Sequence, residues 1–276
     1  MKLKRNEGRK KPVRSAVWSI IIFTSIISII AFILTGIYTS SAEYYSLSAK
    51  NILEGKYIWT LVTHIFFHAN FVHLLVNMFS LYFIGSLAEM IIGKKRFVWF
   101  YLISGVFAGI IYVLSAYLGM LTGFESVFGS YDVMAVGASG ALFGLVGILA
   151  VLIPKKRVYL IIGPIIVLVL DIILSGFLTG GMGTLISVFL NILMFLMIFS
   201  IFFPSRSLNK LAIPVSMPMW AAPIAAIVPL VAISLLIELP IGNSAHIGGL
   251  IAGLIYGAYL IKRYKKKVSI LRNIIR

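Results

Sequence analysis

Eight long apolar runs, separated by short basic blocks, limit this chain more than any other feature of its sequence. The runs are Val17 to Tyr38, Val72 to Ile92, Phe97 to Gly119, Val136 to Ile153, Val158 to Leu178, Leu185 to Phe203, Met219 to Leu239 and Ala245 to Ile261. A helix needs about 20 apolar residues to cross roughly 30 Å of hydrocarbon, and each run meets or approaches that length. The last run is the shortest, but Lys262 and Arg263 follow it, and their aliphatic stems let the charges reach the interface. Backbone in lipid must satisfy its own hydrogen bonds, and continuous runs of this length do so as helices. The expected fold class is therefore an all-α polytopic membrane protein with eight spans. Composition agrees: 61% of residues are hydrophobic and 12% charged, whereas a soluble domain carries about 25% charged residues.

The basic residues orient the spans. Of 24 Lys and Arg, 22 fall in residues 1–14, in Lys94-Lys95-Arg96, in Lys155-Lys156-Arg157, at Arg206 and Lys210, and in residues 262–276. If all eight runs cross, these clusters share one side, and short loops rich in Lys and Arg stay cytoplasmic. The other side receives Lys50 and Lys56 with Glu43, Glu54, Glu125, Asp132 and Glu238. Both termini are thus expected in the cytoplasm, as basic tails over 1–16 and 262–276 flanking a membrane domain over 17–261. The net charge of +16 comes from blocks between apolar runs rather than from a basic face on a soluble body. That excludes nucleic acid as a partner and leaves membrane lipids, with anionic headgroups anchoring the tails.

The first run has a basic start and the small residues Ser40, Ser41 and Ala42 after it, like a signal peptide, but its 22 residues are too many, so it reads as an uncleaved anchor. Pro12, Pro154, Pro204 and Pro240 mark span boundaries, while Pro164, Pro223 and Pro229 fall inside runs and predict kinks. The chain has no cysteine, which excludes disulfides and thiolate chemistry.

Polar groups inside such a chain are costly, so their positions carry information. His64, His68 and His73 lie at the outer entrance of the second run, and His246 at the outer end of the last. His73 and Asn77 are four positions apart and share a helix face. Taken alone they could bond to another span. The fourth run opens with Gly137-Ala138-Ser139-Gly140, which puts a serine hydroxyl and amide at a helix N-terminus, where free amides and the helix dipole favour a developing oxyanion. Gly137 and Gly140 leave the approach to Ser139 open. His246, Gly249, Gly253 and Gly257 form one stripe on the last span, and Gly140 and Gly144 lie on the serine helix. Small residues let two helices approach closely, and proton transfer from Ser to His needs a separation of about 3 Å. These features together predict a Ser139/His246 pair on two tightly packed spans. No carboxylate is placed to orient the imidazole, so a dyad is expected, with Phe143, one turn after Ser139, stacking on His246.

At this point the residues resemble the rhomboid family of intramembrane serine proteases. The matching motifs are His64-x3-His68-x4-His73-x3-Asn77 followed by Gly85 and Glu89, then Gly137-x-Ser139-Gly140, then Ala245-His246-x2-Gly249-x3-Gly253. The resemblance covers residues 10–157 and 212–262. It implies a six-helix core, Ser139 as nucleophile, His246 as general base, and an oxyanion site made by the Ser139 amide, His73 and Asn77. It also implies that His64 and His68 organise the loop over residues 39–71, that no metal or cofactor is needed, and that single-span membrane proteins are cut near their outer ends. An integral protein of the cell membrane is expected, its site toward the outer side.

Two departures accompany the resemblance. Many family members carry Trp-Arg in the first loop where this chain has Trp59-Thr60, and 106 residues lie between Ser139 and His246, far more than in a core member. The extra length fits an inserted hairpin of two spans over 158–203, which preserves the orientation of the helices after it. Asp171 and Asn191, polar within it, could bond each other. Two other readings compete. One is a catalytically silent rhomboid-like factor that binds membrane proteins, although such relatives usually lack the serine or the histidine. The other is a metal site of His64, His68, His73 and His246. Imidazoles suit zinc, but that reading leaves Gly-x-Ser-Gly and Asn77 without a role.

Overall fold

A computed structural model of the chain describes residues 15–178, 180–201, 210–234 and 242–275. The basic stretch 1–14, Arg206, Glu238, Pro204 and Pro240 lie outside the described residues. The long helices are α1 (Ala16–Ile37), α2 (Phe71–Ile92), α3 (Lys94–Thr122), α4 (Ser139–Leu152), α5 (Gly163–Phe177), α6 (Gly180–Ser200), α7 (Ala222–Ser234) and α8 (Asn243–Arg263), followed by the shorter α9 (Lys265–Ile274). Among the described residues, α1, α2, α3, α6 and α8 are long and apolar enough to cross a membrane, and α4 and α7 are shorter apolar helices. The protein is therefore a mostly helical, polytopic membrane protein.

Helix α4 is buried on nearly every face, from Gly140 to Leu152. A helix apolar all round belongs in the centre, and α3 and α8 flank it, with Phe97 and Tyr101 of α3 fully buried beside Leu145, Ile148 and Leu149. Helix α1 is peripheral: Ile22, Ile26, Ile33 and Ile37 are exposed, a face suited to lipid. Its start is held by Glu89 of α2, whose carboxylate accepts from Ser15 Oγ at 2.6 Å, Ala16 N at 2.9 Å and Val17 N at 3.1 Å. These are the amides that a helix start leaves unpaired. Gly85 admits this contact, since a Cβ there would stand 2.8 Å from Leu81 Cδ1 and 3.3 Å from Val17 Cγ2.

Several boundaries differ from the sequence reading. The fifth run does not begin as a helix at Val158. Residues Arg157–Ile161 form a strand, β3, paired antiparallel with β4 (Pro214–Pro218), so that Arg157 faces Pro218 and Ile161 faces Pro214. The β-branched, aromatic run Val158-Tyr159-Leu160-Ile161 suits a strand, and Pro164 occupies the first turn of α5 rather than kinking a span. Pro223 likewise falls in the first turn of α7, so Pro229 is the proline inside that helix. Helix α4 begins at Ser139, the helix start expected within the fourth run, and ahead of the turn Met134–Ala135 form a short strand, here β2, paired with Leu47–Ser48, β1. These two ribbons are departures from a purely α fold.

The segment between β3 and β4 holds α5 and α6. Asn191 Nδ2 of α6 donates to Asp171 Oδ2 of α5 at 3.2 Å, so the two polar residues of this helix pair bond each other. The pair packs through Val167, Leu190 and Met194 against Val72, Leu75 and Phe79 of α2. A groove of about 480 Å³ opens between α2 and α6, lined by Phe71, Val72, Leu75, Ser187, Asn191 and Phe195. Residues 265–274, expected as a basic tail, are helical: Val268 of α9 is buried, and Arg272 Nε and Nη2 donate to Leu152 O at 2.9 Å and Val151 O at 2.8 Å.

Candidate active site

Ser139 opens α4, after a turn in which Gly137 has φ +129°. Only glycine adopts that backbone without strain, and a Cβ there would lie 2.8 Å from His73 Cε1. The amides of the first α4 residues lack intrahelical acceptors and point toward the turn.

His246 sits in the first turn of α8, and its Nε2 is 2.8 Å from Ser139 Oγ. Glycines allow this distance. A Cβ on Gly249 would collide with Gly140 O, and one on Gly253 with Gly144 O, and it would also stand 2.9 Å from Gly147 Cα. The backbones of α4 and α8 are in contact, so two short side chains bridge them. Gly140 itself faces Ala108 of α3, where an added Cβ would be 2.6 Å from Ala108 Cβ. Phe143 stacks on the His246 ring with centroids 4.6 Å apart and planes at 26°. His246 is 9% exposed, and its Nδ1 is buried with no hydrogen-bond partner among the described residues. The imidazole is held by packing.

The other histidines surround the turn. Gly137 N donates to His64 O at 2.9 Å, and His64 Nδ1 donates to Thr60 O at 2.7 Å. His68 Nδ1 lies 3.0 Å from Ser28 Oγ, Ser28 Oγ donates to Phe66 O at 3.1 Å, and Ala138 N donates to His68 Nε2 at 3.5 Å. The chain of bonds fixes one tautomer: an amide can only donate, so Nε2 accepts, and Nδ1–H then donates to a serine whose own hydrogen goes to Phe66 O. His68 and His73 meet edge to face at 5.0 Å. Asn70 caps α2, accepting from His73 N at 2.8 Å. Asn77 is buried, and its Nδ2 donates to His73 O at 2.9 Å, which leaves a second N–H on that amide. Among the described residues no three His, Asp or Glu side chains converge as metal ligands.

Ser28, Asn70 and Thr60 also support the site, at positions that no motif marks as functional. Ser28 and Thr24 are buried in α1, four positions apart, a polar pair in an apolar run that could have marked the inward face. Ser104 of α3 is likewise unmarked by any motif. Its hydroxyl fills the space beside Gly144.

Ribbon β1–β2 ties the loop after α1 to the segment entering Gly137, with Lys50 N donating to Tyr131 O at 3.2 Å and Lys50 Nζ 3.0 Å from Asp132. A 14-residue α4 is about 21 Å long, roughly 9 Å less than the hydrocarbon thickness. If its basic end lies at one interface, the N-terminus that carries Ser139 stops short of the other by that difference.

A helical membrane protein with a serine and a histidine joined across two packed helices is the class that fold and site define. The Rhomboid domain family matches residues 55–206, more than half of the chain, and the chain belongs to the rhomboid family. The matched stretch contains Ser139 and ends before His246. Among known relatives, RHOMBOID-like protein 1 of Arabidopsis thaliana is 36% identical over 102 residues, covering 37% of this chain and 23% of the relative. RHOMBOID-like protein 5 of Arabidopsis thaliana is 34% identical over 111 residues, 40% of this chain and 32% of the relative. Rhomboid protease GluP of Bacillus subtilis (strain 168) is 32% identical over 110 residues, 40% of this chain and 18% of the relative. The chain thus spans a third or less of the length of these relatives.

Proposed function

We propose that this protein is an intramembrane serine protease that cuts peptide bonds in or near the membrane segments of other proteins. The observation that carries the reading is the 2.8 Å contact between Ser139 Oγ and His246 Nε2. His246 Nε2 accepts the Ser139 proton as Oγ attacks the scissile carbonyl carbon, and the carbonyl oxygen becomes the oxyanion. The Ser139 amide, His73 and the second N–H of Asn77 donate to that oxyanion. The imidazolium returns its proton to the leaving amine as the C–N bond breaks, which leaves an acyl ester on Ser139. Water, deprotonated by the same Nε2, hydrolyses the ester and restores the hydroxyl. Phe143 and the α4–α8 contact keep the ring in place, work a carboxylate does in triads.

The substrates are single-span membrane proteins, reached from within the bilayer because Ser139 lies below the interface. All eight apolar segments cross, both termini are cytoplasmic, and the site opens toward the outer side of the cell membrane. The distribution of 22 of 24 basic residues supports this orientation. The relative GluP, named a rhomboid protease, supports the activity.

Reconstituted in liposomes with a model single-span substrate, the protein is expected to cleave it, and Ser139→Ala and His246→Ala are each expected to lower the rate by at least about a thousandfold while thermal unfolding stays unchanged. A fluorophosphonate probe should label Ser139 in the native chain and not in the Ser139→Ala variant. Cleavage surviving both substitutions would overturn the dyad, and a folded chain that neither labels nor cleaves would point to the silent relative.

A further inference from the structure

Three cations crowd one tyrosine on the basic side of the molecule. Arg96 Cζ lies 4.8 Å, Arg263 Cζ 5.8 Å and Lys267 Nζ 5.9 Å from the centre of the Tyr264 ring, and Arg96 Nη2 donates to the Tyr264 hydroxyl at 2.9 Å. An aromatic face attracts a cation, and three positive charges gather around this one ring. No carboxylate of the described residues offsets them. The described ion pairs are elsewhere: Lys56–Glu54 lies within the loop before α2, and Lys50–Asp132 joins that loop to the segment between α3 and α4. Glu89, the described acid on the basic side, is committed to Ser15 and the first amides of α1.

Beside the cluster is an apolar groove of about 140 Å³, floored by Ile91, Leu152, Leu260 and Leu271 and rimmed by Arg96 and Lys267. Helix α9 forms one wall. Its Ile270 and Ile274 are exposed, beside the run Lys265-Lys266-Lys267, the pattern of a helix lying in the interface of an anionic leaflet. We propose that this groove binds an anionic phospholipid, its phosphate between Arg96, Arg263 and Lys267 and the first methylenes of one chain in the groove. A phosphate group supplies several acceptor oxygens for charge-assisted bonds to these side chains. Apolar floor and charged rim together match a lipid better than a free anion, which has no use for the floor. Because Arg272 of α9 caps Val151 and Leu152 at the end of the serine helix, a lipid that fixes α9 also fixes α4.

The test uses the full-length protein in neutral detergent and no substrate, so its result is separate from the protease reading. Phosphatidylglycerol is expected to raise the thermal unfolding midpoint by several degrees. Phosphatidylcholine of the same chain length and inorganic phosphate should not. Native mass spectrometry should retain one phosphatidylglycerol per chain. The double variant Arg96→Gln, Lys267→Gln should lose both the shift and the retained lipid, whereas Lys155→Gln with Lys156→Gln, a basic pair outside the groove, should keep them. If the first double variant does not fold, Lys267→Glu, at an exposed position, should by itself weaken retention at least tenfold. Equal shifts from phosphatidylcholine or phosphate, or equal losses in the two basic-pair variants, would overturn the site in favour of diffuse charge.

Discussion

At Gly137 the backbone turns with φ +129° while the His73 ring fills the space a side chain would need, 2.8 Å from Cε1 and 2.9 Å from Nε2. Alanine there meets two obstacles: a backbone region costing about 1–3 kcal/mol for a residue with a Cβ, and a ring that must swing away. Under the proposed mechanism the ring stabilises the oxyanion, so Gly137→Ala is expected to lower kcat by about 100-fold with a smaller change in KM. Steady-state cleavage of the model substrate reads this, alongside a melting curve to separate it from unfolding. A folded variant with native kcat would remove His73 from the oxyanion site. At this scale much of the site was legible, because the signals are local or lie on a single helix face: Ser139 beside its glycines, Phe143 one turn later, His73 above Asn77. The bond between His68 and Ser28 was not legible, since it joins residues 40 positions apart and a serine in an apolar run has many uses. Nor was the fit of Ser104 against Gly144, which depends on how α3 is rotated.

Between helices, the same economy of side chains brings Ser139 to His246. Gly249 and Gly253 press on carbonyl oxygens of α4, and backbone cannot move aside as a flexible side chain can. Gly253→Val must therefore push α8 away from α4, an overpacking cost of about 3 kcal/mol or more, and it should lower the unfolding midpoint and abolish fluorophosphonate labelling together. Gly36→Ala is the control. Nothing lies within 4 Å of the added Cβ, and alanine in an exposed helix is favoured over glycine by about 0.5–1 kcal/mol, so its midpoint should stay or rise. Equal losses in both variants would mean that helix contact is not what the stripe provides. The stripe was readable from its spacing alone. The ribbon of β3 and β4 was not, because a short apolar run does not separate a strand from the start of a buried helix, and its partner lies more than fifty residues along the chain. Helix ends also moved wherever a proline, read as a kink, proved to be in a first turn.

For the whole molecule, the question is how 106 intervening residues leave His246 facing Ser139. The ribbon supplies the answer. Arg157 is paired with Pro218 and Ile161 with Pro214, so the chain leaves for α5 and returns from α6 at one place. Whatever path the hairpin takes, its ends are fixed together, and α7 and α8 continue in the direction they would have had without it. Membrane crossing is a separate matter. Helix α6, with 21 residues, is about 31 Å long and matches the hydrocarbon thickness, whereas α5, with 15, is about 22 Å and falls short unless the bilayer thins or the flanking β3 residues complete the passage. The proposed crossing rests on the charges: Lys210 and the block Lys155-Lys156-Arg157 lie at the closed end, and the tip around Gly180 and Gly181 carries none. The native chain has no cysteine, so single substitutions report without background. In intact cells a membrane-impermeant maleimide should label Gly181→Cys directly and Lys210→Cys only after permeabilisation. Labelling of both from one side would make the insertion a re-entrant hairpin held by its ribbon, and the spans would number six rather than eight, with the orientation of α8 and the contact of His246 with Ser139 unaltered.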